Sequence, residues 1–304
     1  MHPAYSVILF TTASGAGYGL LFWLGLGHLT GLIHGAGWMP VITLTVALGL
    51  ITLGLLSSAF HLGRPERALG AFSQWRSSWL SREGVVAVAT YVPAGLWWLL
   101  WLFGNGSVTP FLGLLAAIGA AVTVYCTGMI YASLRTIRQW NRPTVPWIYI
   151  ALAAGTGGLL LALLLPSTFA ALAALISLGA AAVLKLAYWK EIDADPGQYT
   201  AEMATGLGHL GTVRPLDPPH STPNFVMREM GYAVARNHAL KLRKVALLAL
   251  FALPLFLIFI GMFAGWLALV PAVLLAAVGV VTERWLFFAE AEHVSQLYYG
   301  KARA

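Results

Sequence analysis

The chain has 304 residues, of which 59% are hydrophobic types and 10% are charged, and its mean hydropathy is strongly positive. A soluble domain carries about 25% charged residues, so a water-facing exterior is excluded for most of this surface and lipid is the solvent that fits. The formal net charge of +7 is gathered on a few polar segments, and the single cysteine, Cys126, excludes a disulfide framework or a cysteine-ligated iron–sulfur cluster within these residues.

The opening Met1-His2-Pro3-Ala4-Tyr5 lacks the basic region of a signal peptide, so membrane insertion is expected to begin with the first helix. A helix needs about 20 apolar residues to cross a bilayer. Runs of that kind predict spans at 6–32, 39–60, 84–103, 111–134, 147–165, 167–184, 245–262 and 266–282, with a long polar segment at 185–244. Strand periodicity is absent, and helices satisfy every backbone group in lipid. The fold class is therefore all-α, an eight-helix polytopic bundle forming one integral membrane domain over 1–304. Gly104-Asn105-Gly106 and Pro166-Ser167-Thr168 are turns that make hairpins of spans three and four and of spans five and six. Cys126 falls in an apolar helix and reads as a small buried hydrophobe.

With eight spans the connections alternate between two sides, and the side of the termini is called side A. All eighteen Lys and Arg fall there, four between 63 and 82, three after span four, eight in the long segment and three after span eight. Side B connections hold none. The positive-inside rule then makes side A, and both termini, cytoplasmic. All eleven carboxylates are likewise expected at side A loops or helix ends, with no charge in mid-span. The long segment combines Pro215, Pro218, Pro219 and Pro223 with an amphipathic stretch of Phe225, Met227, Met230 and Tyr232, which suits docking of a cytoplasmic partner. Glu290, Glu292 and His293 extend past span eight as interfacial or partner contacts.

The residues that could carry chemistry lie at the membrane edge. His61 ends span two and Glu83 begins span three, so both sit at side A at similar depth. Quinone reduction takes two electrons and two protons while the ring stays in lipid. An imidazole that titrates near neutrality and a half-buried carboxyl suit that task, and intramembrane ionisable groups are functional candidates. A purely structural reading stays open on spacing alone. Glu83 would favour the positive end of helix three with Ser81 as its cap, or pair with Arg64 or Arg82, and His61 would be an interfacial residue. His28 and His34 lie toward side B, poorly spaced to clamp one haem iron, and His209, His220 and His238 lack a compact metal-ligand pattern. Gly206-Leu207-Gly208-His209-Leu210-Gly211 follows no strand and is not a nucleotide-binding turn.

His61-Leu62-Gly63-Arg64-Pro65 followed by Ser81-Arg82-Glu83 resembles the membrane-anchor subunit family of dimethyl sulfoxide reductase-type complexes. The resemblance spans essentially the whole chain in helix number and loop order. It implies an anchor that holds no haem or metal and binds quinone (menaquinone or ubiquinone) beside a ferredoxin-like iron–sulfur subunit. That subunit would relay electrons to or from a molybdopterin catalytic subunit. The family's quinone-associated His and Glu map onto His61 and Glu83, with Arg64 assisting. Side A charge makes the chain similar to the anchor of a cytoplasm-facing sulfite dehydrogenase in a bacterial inner membrane, as does the stretch Thr282-Glu283-Arg284-Trp285-Leu286-Phe287-Phe288. Electrons would then pass from sulfite to quinone. The alternatives are an anchor of a sulfoxide or other oxyanion reductase oxidising quinol, a structural anchor with no quinone site, and, from another class, a secondary transporter. Nothing in the resemblance implies a nucleic-acid partner.

Overall fold

A backbone in lipid can hydrogen-bond only to itself, and the chain answers with helices. A computed structural model describes residues 3–34, 37–59, 68–104, 108–195, 197–214, 216–217, 222, 224, 227, 234–299 and 303. Among them are eight helices long and apolar enough to cross a membrane: α1 Tyr5–Leu29, α2 Trp38–Ala59, α3 Trp79–Leu102, α4 Thr109–Ala132, α5 Val145–Leu164, α6 Thr168–Ala194, α7 His238–Ala264 and α8 Trp266–Ala289. Span number and order match the reading from sequence. Ser167 caps α6 through the Ala170 N–H at 3.2 Å, which makes the α5–α6 turn as expected.

Apolar burial does not drive association between helices already in lipid, so close backbone approach carries more of the packing. α1 and α5 are the most buried spans and form the centre. Gly19 of α1 lies so close to α5 that a Cβ there would sit 1.7 Å from the Ala153 carbonyl oxygen, and one on Gly157 would sit 2.1 Å from the Gly19 backbone. α4 packs on α1 and α3, α6 packs on α5, and α7 with α8 forms a second pair whose α8 member touches α1 and α5. Two spans contain π-helical turns, Phe10–Ser14 in α1 and Leu247–Ala252 in α7.

Several helix boundaries correct the sequence reading, among them the start of α7 at His238 and not at 245. α6 continues to Ala194 and α8 to Ala289, beyond the expected ends at 184 and 282. Lys185, Glu283 and Arg284 therefore lie inside the bundle, with 0%, 0% and 2% exposure, and not in loops or at helix ends. The helices extend because their polar residues find partners in one another. α3 begins at Trp79, five residues before the expected start, with Ser78 as its N-cap accepting from the Ser81 N–H at 3.4 Å. Ser81 is thus a first-turn residue and not the cap.

Candidate functional site at the A-side end of the bundle

Starting α3 at Trp79 carries Glu83 onto the helix proper, roughly 6 Å past the first residue at 1.5 Å per residue. Its side chain is buried, at 4% exposure, and Oε1 makes a short hydrogen bond with the Thr127 hydroxyl of α4. The same hydroxyl is 3.1 Å from the Thr123 carbonyl oxygen. Arg82 does not pair with Glu83. Its Nε and Nη2 donate to the Trp75 and Arg76 carbonyls at 2.9 and 2.7 Å, and its guanidinium lies 4.2 Å from the Trp79 ring centroid. Arg82 therefore fastens the loop before α3. His61 and Arg64 lie outside the described residues, as do Phe225, Met230 and Tyr232 of the amphipathic stretch.

Behind Thr127 the bundle holds a narrow polar cavity of about 20 Å³, room for one or two waters. It is lined by Thr11, Thr12 and Tyr18 of α1, Thr127 of α4, Tyr149 of α5 and Arg284 of α8, among others. The π-helical turn in α1 supplies the first two. π-turns inside α-helices are frequent at functional sites, because they displace side chains from the regular helical sequence of faces. The Tyr18 and Tyr149 hydroxyls and both Arg284 Nη atoms have no hydrogen-bond partner among the described residues. Buried polar groups of this kind are ordinarily satisfied by water.

Arg284 belongs to a buried charge cluster missing from the sequence reading. Glu283 is held by Lys185 at 2.5 Å and by the Arg284 Nε at 2.6 Å. Aromatic faces surround the cations. Lys185 lies 4.4 Å from the Tyr188 ring centroid and 5.0 Å from that of Trp189, and Arg284 lies 4.1 Å from that of Tyr149. Cation–π attraction of this kind partly replaces lost hydration. The signal in the sequence was the apolar run 285–289, which continues the helix past Glu283 and Arg284, together with Tyr188 and Trp189 one turn beyond Lys185.

Nearer the A surface, Arg243 of α7 joins Asp193 of α6 at 2.6 Å and Glu290 at 2.8 Å. Glu290 is thus tied within the chain. Its carboxyl is pushed above the ordinary range by burial, against the lowering influence of Arg243. The segment after α4 is tied to the segment after α8 by Val294 N–H to Thr136 O at 3.0 Å and by Glu292 N–H to Gln139 Oε1 at 3.1 Å. Asp195 meets Arg138 and Arg142 beside it. Desolvation opposes its ionisation, but the Gly197 N–H and the two arginines outweigh that and hold its carboxyl below the usual range.

Of the other histidines, His28 serves local structure. His28 contacts the Ile33 carbonyl at 3.1 Å and the Thr109 hydroxyl at 2.8 Å and stacks on Trp97, so both ring nitrogens are engaged at the B end of α1. Cys126 is buried in α4, as expected.

Comparison with known proteins adds two kinds of likeness. The family model described as "DMSO reductase anchor subunit (DmsC)" matches residues 1–300. The chain is 33% identical to the sulfite dehydrogenase C subunit of Allochromatium vinosum, over 98% of this chain and 99% of that one. It is 29% identical to the C chain of the anaerobic dimethyl sulfoxide reductase of Haemophilus influenzae, over 40% of this chain and 44% of the relative.

Proposed function

This chain belongs to the DMSO reductase anchor subunit family, and from that premise we propose that it binds a membrane quinone beside Glu83 and passes electrons to it from an iron–sulfur subunit. It is a multi-pass membrane protein. The proposed complex adds a molybdopterin subunit that oxidises sulfite. The gathering of Lys and Arg on side A supports a cytoplasmic position for both soluble subunits and the chain termini, at a bacterial inner membrane. His61 and Arg64 join Glu83 in the proposed site, with menaquinone or ubiquinone as the electron acceptor. The name of the Allochromatium relative supports the sulfite reading.

The observation that carries the reading is Glu83 itself. A buried carboxyl near the A end of an apolar bundle, hydrogen-bonded to a hydroxyl and without a cation partner among the described residues, is poised for proton transfer. Conversion of a quinone to its quinol takes two electrons and two protons. Thr127 has one hydroxyl proton and two acceptors beside it, Glu83 Oε1 and Thr123 O. While Glu83 carries a proton, it donates to Thr127, which donates to Thr123. Once that proton leaves for a quinone oxygen, the Thr127 hydroxyl turns to the carboxylate. Both states are hydrogen-bonded, and the change between them is one hydroxyl rotation.

The test is Glu83→Gln in the intact complex. Decylubiquinone reduction is expected to fall by about 10²-fold or more, with assembly and reduction of a soluble dye unchanged. Wild-type quinone turnover would remove Glu83 from the mechanism. A second reading, quinol oxidation for a reductase, is favoured by the shorter match to the Haemophilus relative. Mass spectrometry of the subunits that copurify, with sulfite and dimethyl sulfoxide as rival substrates, separates the two.

A further inference from the structure

A buried ion cluster is expensive. Replacing such a cluster by apolar side chains is often neutral or stabilising, so Lys185, Glu283 and Arg284 call for a use. Their surroundings suggest one. On one side the cluster opens, through Arg284, onto the polar cavity that also holds Tyr149 and Thr127, and Thr127 is bonded to Glu83. On the other side Lys185 and Arg243 lie against the same Trp189 ring, at 5.0 and 5.3 Å from its centroid, and Arg243 is bonded to Glu290 and to the half-exposed Asp193. Polar groups thus recur along one line from the A surface to Glu83.

We propose that this file is a proton path, leading from Asp193 and Glu290 through the Lys185–Glu283 pair and the Tyr149–Thr127 cavity to Glu83. The inference rests on the quinone-site reading above and supplies what that reading lacks, a route by which Glu83 regains the proton it gives up. Each quinone reduced takes two electrons from the iron–sulfur partner and two protons. The file returns one proton to the Glu83 carboxylate for each that Glu83 releases, and takes it from the A-side water.

The division of labour follows from side-chain chemistry. Lys185 Nζ and Glu283 Oε1 lie 2.5 Å apart, close enough for a proton to pass between them. Arg284 does not release its proton. It keeps a fixed positive charge beside Glu283 and lines the cavity next to Tyr149. The Tyr149 and Tyr18 hydroxyls face the same space and can both accept and donate a proton. The Glu290 carboxyl titrates nearer neutrality than an exposed one because of its burial, which suits an entry group.

The experiment uses the intact purified complex, reduced with limiting dithionite, and follows decylubiquinone reduction in H2O and D2O. Two variants interrupt the file. Tyr149→Phe removes a hydroxyl and leaves the ring against Arg284. The pair Lys185→Met with Glu283→Gln removes both proton-carrying groups and leaves the buried charge at +1, as in the native cluster. Each is expected to slow quinone reduction by about tenfold or more and to enlarge the solvent isotope effect. Millimolar acetic acid, a diffusible proton donor, is expected to restore the rate. Glu83→Gln is expected to be slow and not rescued. Wild-type rates in both file variants, with Glu83→Gln slow, would overturn the path and leave the quinone site standing. Slow variants with an unchanged isotope effect and no rescue would overturn it too, as a packing defect. Wild-type rates in Glu83→Gln would overturn the site and with it the path. If the paired variant fails to assemble, Tyr149→Phe alone decides.

Discussion

Removing Glu283 should cost far more than removing Lys185, although the two touch each other. Glu283→Gln leaves Lys185 and Arg284, both buried, as two cations with no anion between them. Uncompensated charge of this kind costs about 3–5 kcal/mol. Lys185→Met instead leaves a neutral Glu283–Arg284 pair bonded at 2.6 Å. It gives up one charge-assisted hydrogen bond and the cation contacts with Tyr188 and Trp189, but it also relieves the net buried charge. Its cost is about 1–2 kcal/mol. In the double variant Arg284 remains, bonded to the amide oxygen of Gln, and much of the loss from Glu283→Gln should be recovered, a coupling of a few kcal/mol. Unfolding of the purified chain in mixed detergent–SDS micelles, followed by tryptophan fluorescence, measures all three. Equal losses in the two single variants, or a double variant that simply adds them, would refute an ionised cluster.

Three other outcomes are expected. Gly19→Ala puts a methyl group 1.7 Å from the Ala153 carbonyl and must part α1 from α5; a loss of about 3 kcal/mol or more is expected in the same assay. Thr127→Val removes the hydroxyl that serves Glu83, and quinone turnover should fall by about tenfold without loss of the assembled complex. Asp195 is held below its ordinary range against desolvation by Gly197, Arg138 and Arg142. Its stabilising share is therefore present at neutral pH and lost as pH falls through that lowered value. Asp195→Asn should cost about 1–2 kcal/mol at neutral pH and should remove this acid dependence, read as amide exchange in residues 134–144 and 191–199.

Span number, order and the turn at Pro166-Ser167-Thr168 were legible because each depends on a long apolar run or a turn residue; Asn105 and Gly106 of the other expected turn lie outside the described residues. Lys185, Glu283 and Arg284 were not. A lone charge next to a polar segment reads as a loop residue until its partner on another helix is known, and Lys185 and Glu283 are 98 residues apart in the chain. Glu83 was legible as a candidate from its place at the start of span three, level with His61 at the membrane edge, but its bond to Thr127 was not, since Thr127 lies within a run that reads as plain apolar helix. The cavity was invisible for a related reason. It is made from hydroxyls on α1, α4 and α5, each compatible with an ordinary span, that meet only when Gly19 and Gly157 let α1 and α5 close.

The π-helical turn at Phe10–Ser14 also sets a phase. Deleting one residue within it would return α1 to a regular helix and swing everything before it by about 100°. Ile8 would leave the core, and the Ser6 carbonyl would turn away from the Ser57 hydroxyl of α2, now 3.0 Å from it. Ser57 lies four residues before His61 in sequence. A one-residue change in α1 would then uncouple the A end of α2 from that of α1, and the family should tolerate substitutions here far better than changes of length.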